Sequence, residues 1–159
     1  MRNRKKNRVK IYIVSIVIAL AVAGISALIG MNEMEEYQSL VQPPLAPPSW
    51  LFPVVWTVLF TLMGISAARV YIENNSESKS ALWVYGIQLV VNALWTFIYF
   101  TLNLRLVAFV WLLFLLALVV IMTIKFWRVD KTAGYLQLPY IAWLIFAGYL
   151  NLATYILNG

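Results

Sequence analysis

The chain has 159 residues, of which 63% are hydrophobic, 15% aromatic and 11% charged, with a formal net charge of +6. A soluble domain of this size cannot bury so much apolar surface, so the class is integral membrane protein. There is no Cys and no His, which removes disulfides, a thiolate nucleophile and the usual zinc, copper and haem-iron ligands; no metal site is expected. The basic residues flank apolar runs instead of forming a face with interleaved aromatics, which excludes a nucleic-acid partner.

Uncharged apolar runs lie at Ile11–Met31, Trp50–Ala68, Ala81–Leu104, Leu106–Ile124 and Ala133–Leu157. Each is long enough to cross roughly 30 Å of hydrocarbon at about 1.5 Å per residue. Continuous apolarity selects helices over barrel strands. The expected fold is an all-α bundle of five transmembrane helices in one membrane domain, 1–159. Its spans are 11–31, 50–72, 81–104, 105–127 and 133–157, with a lid loop at 32–49. With the N-terminus inside, inner segments hold Arg2, Arg4, Lys5, Lys6, Arg8, Lys10, Arg69, Lys79, Lys125, Arg128 and Lys131, against Arg105 alone outside. That asymmetry places the N-terminus in the cytoplasm and the C-terminus outside. A cleaved signal peptide is the less favoured reading of the first run, which exceeds a usual h-region. The expected location is multi-pass in a cell membrane, the bacterial cytoplasmic membrane first, with the lipid bilayer as partner.

The first connector is the longest. Asn32 and Glu35 read as a capping pair for a short surface helix, Glu33–Leu40. A proline strap follows, with Pro43, Pro44, Pro47 and Pro48 favouring stiff polyproline II. Ser49 is placed to cap the second span, and Pro53 falls in its first turn. Pro139 lies about six residues into the fifth span and predicts a kink there. Ala19-Ala23-Ala27 and Gly64-Ala68 offer small-residue faces for close helix contact, hence a possible homodimer.

Depth sorts the tryptophans. Trp50, Trp83 and Trp127 sit at span ends, as interfacial anchors do, and Trp111 is ambiguous. Trp56, Trp95 and Trp143 lie deeper, Trp56 roughly 9 Å below its outer end. Asn92 is one turn from Trp95, and Tyr99 is four residues beyond it. Ala147 and Asn151 lie one and two turns from Trp143, with Tyr140 and Phe146 close by. Taken singly, each is readily explained as packing or helix-to-helix hydrogen bonding. Together they point to an aromatic pocket under the strap. No Asp or Glu occurs within a span, which disfavours an ion-driven transporter, and no nucleophile–base pair is available. The ligand expected from these residues is large, flat and apolar.

Tyr37, Leu40, Pro43 and Pro47-Pro48, then Val55-Trp56 and Met63-Gly64, then Asn92-Ala93-Leu94-Trp95, then Pro139-Tyr140-Ile141-Ala142-Trp143 and Phe146-Ala147-Gly148-Tyr149-Leu150-Asn151 resemble the tryptophan-rich TspO/MBR family, that of the translocator protein or peripheral benzodiazepine receptor. The resemblance runs from about Met31 to Asn158. It implies a receptor for tetrapyrroles (protoporphyrin IX, haem) and benzodiazepine-type ligands, acting in porphyrin sensing, transport or scavenging, with sterol as a further ligand in eukaryotic relatives. No cofactor is required; protoporphyrin IX or haem is the ligand. By motif position, Tyr37, Trp56, Asn92, Trp95, Tyr99, Trp143, Phe146, Ala147 and Leu150 bind it, with Pro43, Pro44, Pro47 and Pro48 as lid. Two alternatives stand beside this. One is a light- and oxygen-dependent porphyrin-degrading enzyme with Trp56 and Trp143 as its redox residues. The other is a structural membrane protein whose aromatics only pack. The chain departs from the family pattern at Gln42, where a Lys is usual, and at Leu45, where a Trp is usual; Leu45→Trp is therefore expected to tighten porphyrin binding. The weak sterol motif needs a base after Tyr155, and none follows.

Overall fold

The computed structural model describes residues 2–159 as α1 (Arg2–Met31), α2 (Met34–Ser39), α3 (Leu51–Glu73), α4 (Ser78–Thr96), a π-helical turn (Phe97–Thr101), α5 (Arg105–Val129), α6 (Lys131–Tyr135) and α7 (Leu138–Asn158). Among the described residues there is no strand. Five segments are long and apolar enough to cross a bilayer: Asn3–Met31, Leu51–Glu73, Ser78–Thr101, Arg105–Val129 and Lys131–Asn158. Val17, Val58, Val90, Val110 and Ile145 each leave about half their surface or more uncovered, the face such a bundle turns to lipid. The spans alternate in direction between a basic end, where α1 begins, and a lid end, where α2 sits.

The helices differ from the sequence expectation mainly at their ends. α1 starts at Arg2 rather than Ile11, because its Lys and Arg residues are good helix formers. Neither expected N-cap forms. Glu33 occupies the cap of α2 and Trp50 that of α3, both without a side-chain hydrogen bond, so Asn32 and Ser49 do not cap. Pro53 is the third residue of α3, where its missing N–H leaves nothing unpaired. Pro139 does not kink a continuous helix. The fifth span breaks at Leu136–Gln137, and Pro139 takes a place in the first turn of α7, which a proline fits without loss. Asp130 makes the restart possible: its carboxylate accepts from Thr132 N (2.8 Å) and Ala133 N (3.3 Å), capping α6.

The strap is not a straight polyproline rod. Ala46 N donates to Pro43 O at 3.2 Å, and Leu45 takes φ +68°, so Pro43–Ala46 is a tight turn with Pro44 and Leu45 at its corner. Asn158 ties the connector to the end of α7, accepting from Val41 N (2.9 Å) and donating to Val41 O (3.0 Å). Tyr149 Oη donates to Pro44 O at 2.7 Å.

The small residues that suggested a dimer face are used within the chain. α1 packs chiefly on α3. A Cβ placed on Gly64 would lie 2.6 Å from Ile16 Cα, and Ala19 is fully buried. Close approach of these two backbones requires the small residues, so Ala19 and Gly64 are not free for a second copy.

Candidate functional site

Between α1, α2, α3, α4 and α7, toward the lid end, lies a cavity of about 240 Å³. Trp56, Asn92, Trp95, Tyr99, Trp143, Ala147, Leu150 and Tyr37 all line it. Phe146 does not. It sits on the flank of α7, stacked on Tyr149 with centroids 6.2 Å apart, and meets Trp143 from behind at 5.5 Å. None of Pro43, Pro44, Pro47 and Pro48 lines the cavity; α2 closes it with Tyr37 and Met34. Leu45 is 81% exposed and faces away, so the family's Trp position is not a cavity position in this chain.

The aromatic wall is continuous. Trp56 meets Trp143 edge-on at 6.4 Å and 89°, and Phe52 meets Trp143 at 5.9 Å and 71°. Across the cavity Trp95 and Tyr99 are stacked, 5.3 Å apart at 27°. Tyr37 bridges the two sides, 6.5 Å from Phe52, 6.3 Å from Tyr99 and 5.9 Å from Phe100. Burial pushes the Tyr37 phenol above its ordinary pKa, so it stays neutral. The π-helical turn, marked by Leu102 N donating to Phe97 O at 3.1 Å, brings the adjacent residues Tyr99 and Phe100 both onto the wall. Such turns recur at functional sites.

Polar groups around the cavity are mostly occupied. Asn92 Nδ2 donates to Tyr140 Oη (2.6 Å), which donates to Gln88 Oε1 (2.9 Å). Gln88 Nε2 points to Met63 Sδ at 3.6 Å, so one relay joins α4, α7 and α3. Trp95 Nε1 donates to Asn151 Oδ1 at 3.2 Å, and Asn151 Nδ2 donates to Arg105 O at 2.8 Å. Trp111 Nε1 donates to Val91 O at 2.8 Å, a helix-to-helix bond away from the cavity. Trp143 Nε1 and Ser26 Oγ are the exceptions: both belong to lining residues, are buried and find no partner among the described residues. No charged side chain among the described residues lines the cavity. What remains is an aromatic-lined apolar cavity in which the Trp143 indole N–H and the Ser26 hydroxyl are buried and unused.

Sequence reasoning missed the α1 wall, formed by Ala23, Ser26, Ala27, Gly30 and Met31. It also missed Phe52, Phe60 and Phe100, and the buried Gln88. A short-residue stripe on one face of α1 was the available signal, and it was read as a dimer face.

The TspO/MBR family profile matches residues 14–157. The chain belongs to the TspO/MBR family. It is 43% identical over 125 residues to Protein CrtK of Rhodobacter capsulatus, covering 77% of this chain and 78% of that one. It is 37% identical over 124 residues to the tryptophan-rich protein TspO of Chlorobaculum tepidum, with 77% and 78% covered. The translocator protein of Bos taurus is 34% identical over 118 residues, covering 72% of this chain and 70% of that one. Family membership and the five apolar helices make this a multi-pass membrane protein.

Proposed function

We propose that the cavity binds tetrapyrroles such as protoporphyrin IX and haem, and benzodiazepine-type ligands, in porphyrin sensing, transport or scavenging. The carrying observation is the facing aromatic walls, Trp56–Trp143–Phe52 on one side and Trp95–Tyr99 on the other, with no charged side chain among the described residues between them. Aromatic contacts of this kind add about 0.5–1.5 kcal/mol each beyond area burial. The names "tryptophan-rich sensory protein" and "translocator protein" among the relatives fit a receptor or carrier. At about 240 Å³ the closed cavity is below the roughly 300–1,000 Å³ of drug-sized sites. A macrocycle therefore requires the wall to move, by lifting α2 or by shifting α1. The N-terminus is cytoplasmic and the lid external, in the bacterial cytoplasmic membrane.

The contact of Trp56 with Trp143 favours a second reading, photo-oxidative breakdown of the bound porphyrin. Two adjoining indoles on one wall are the most readily oxidised side chains present. Quenching of Trp fluorescence by protoporphyrin IX, a sterol and a benzodiazepine-type compound, titrated side by side, tests the first reading; no saturable quenching by any of them overturns it. Illumination in air with Trp56→Phe and Trp143→Phe tests the second, which fails if free porphyrin bleaches equally fast.

A further inference from the structure

A second concavity, a groove of about 430 Å³, opens near the basic end between α1, α3 and α4, and shares no lining residue with the aromatic cavity. Its outer rim carries Lys10 and Tyr71, the latter 59% exposed. Below Lys10, Val14 and Ile18 continue the wall at successive i+4 positions, one stripe along α1. Lys6 lies one turn above Lys10 on the same stripe and is exposed. The floor is shallow-sided because Ala68 is small, and it holds Tyr85. Tyr85 is 7% exposed, and its hydroxyl finds no hydrogen-bond partner among the described residues. The Tyr85 ring packs inward on fully buried Phe126, centroids 6.0 Å apart, so the groove floor is apolar.

We propose that this groove holds one anionic phospholipid as a stoichiometric ligand. Its acyl chain lies along Val14 and Ile18, and its phosphate meets Lys6 and Lys10. Charge complementarity selects the occupant. A cationic stripe directly continuous with an apolar groove matches a negatively charged headgroup on a hydrocarbon tail, whereas a sterol brings no charge and a free anion no tail. Each lysine near such a headgroup favours it by about fivefold.

Native mass spectrometry of the full chain, incubated with equimolar dioleoyl phosphatidylglycerol and dioleoyl phosphatidylcholine, reads this directly. One phosphatidylglycerol adduct is expected, favoured over phosphatidylcholine by at least fivefold. Lys10→Ala and Lys6→Ala each cut the preference about fivefold, while Lys5→Ala, turned away from the groove on α1, leaves it within twofold. Val14→Trp, a change on an exposed wall, fills the groove and removes the adduct. Equal adducts of the two lipids would overturn the proposal, as would a Lys5→Ala effect as large as that of Lys10→Ala. So would full retention in Val14→Trp. Helicity by circular dichroism and porphyrin quenching remain as in the parent chain for the lysine variants, because the aromatic cavity is separate.

Discussion

Gly64→Ala is the sharpest test of the packing that shapes the cavity. A Cβ at this position would lie 2.6 Å from Ile16 Cα and 3.0 Å from both Ile16 N and Ser15 O. Ordinary carbon contacts sit at about 3.5–4.0 Å, so α1 must move off α3 by about 1 Å. The obstacle is backbone, which cannot rotate away as a side chain would. Overpacking of this kind costs about 1–3 kcal/mol. Gly24→Ala in α1 is the matched control: nothing lies within 4 Å of its Cβ, and the helix-propensity gain is about 0.5–1 kcal/mol. The two glycines therefore move stability in opposite directions. Thermal unfolding of the detergent-solubilised chain, followed by Trp fluorescence and circular dichroism, measures both. Gly64→Ala also weakens porphyrin quenching, because α1 supplies Ala23, Ala27 and Gly30 to the cavity wall. Equal melting temperatures for Gly64→Ala and Gly24→Ala would refute the α1–α3 close-contact account.

Three further outcomes are expected. Tyr140→Phe removes the centre of the Asn92–Tyr140–Gln88 relay and destabilises by about 1 kcal/mol, within the range for bonds inside a bilayer; an unchanged melting temperature would mean the relay contributes nothing. Asp130 sits in an ion pair with Arg69 (2.7 Å), though the Nε–H is not aligned on the carboxylate. Burial opposes its ionisation, but Arg69 and the Ala133 and Thr132 N–H groups outweigh that and hold its pKa below the ordinary 3.8. A lowered carboxylate pKa stabilises above the unfolded value and loses that contribution as pH falls through the folded one. Wild type and Asp130→Asn therefore differ in melting temperature at pH 7, begin to approach one another near pH 4, and converge only below the lowered folded-state pKa. Leu45→Gly relieves a left-handed backbone and stabilises by about 1 kcal/mol, whereas Leu45→Trp leaves porphyrin affinity within twofold, since the position faces away from the cavity.

The parts of this protein that composition controls were readable from the chain. Uninterrupted apolar runs leave a helix no alternative in lipid, and depth counting alone brought Trp56, Trp95 and Trp143 into the middle and outer half of the membrane. Helix ends were less readable, because capping depends on where the chain arrives from: Asn32 and Ser49 are good cap residues that the connector does not present. Pro139 carried a true signal with two physical solutions, a kink or a restart, and the Asp130 cap with Gly134 packed against Trp127 selected the restart. Phe146 shows the limit of proximity in sequence. Three residues from Trp143 it falls on the other flank of α7, while Ala147 and Leu150 stay on the cavity face. The α1 wall was hidden for a different reason. Small residues mark any close surface, and only the assembled bundle distinguishes a cavity wall from a helix contact.

The central claim is that the aromatic slot binds a porphyrin by stacking and shape. The decisive measurement compares saturable Trp quenching by metal-free protoporphyrin IX and by haem, in the parent chain and in Ala27→Trp, whose side chain would fill the cavity from α1. Comparable affinities for the two ligands, both lost in Ala27→Trp, are predicted. Haem affinity far above that of protoporphyrin IX, abolished by Met34→Leu, would contradict stacking as the basis of binding, and undiminished quenching in Ala27→Trp would place the ligand elsewhere.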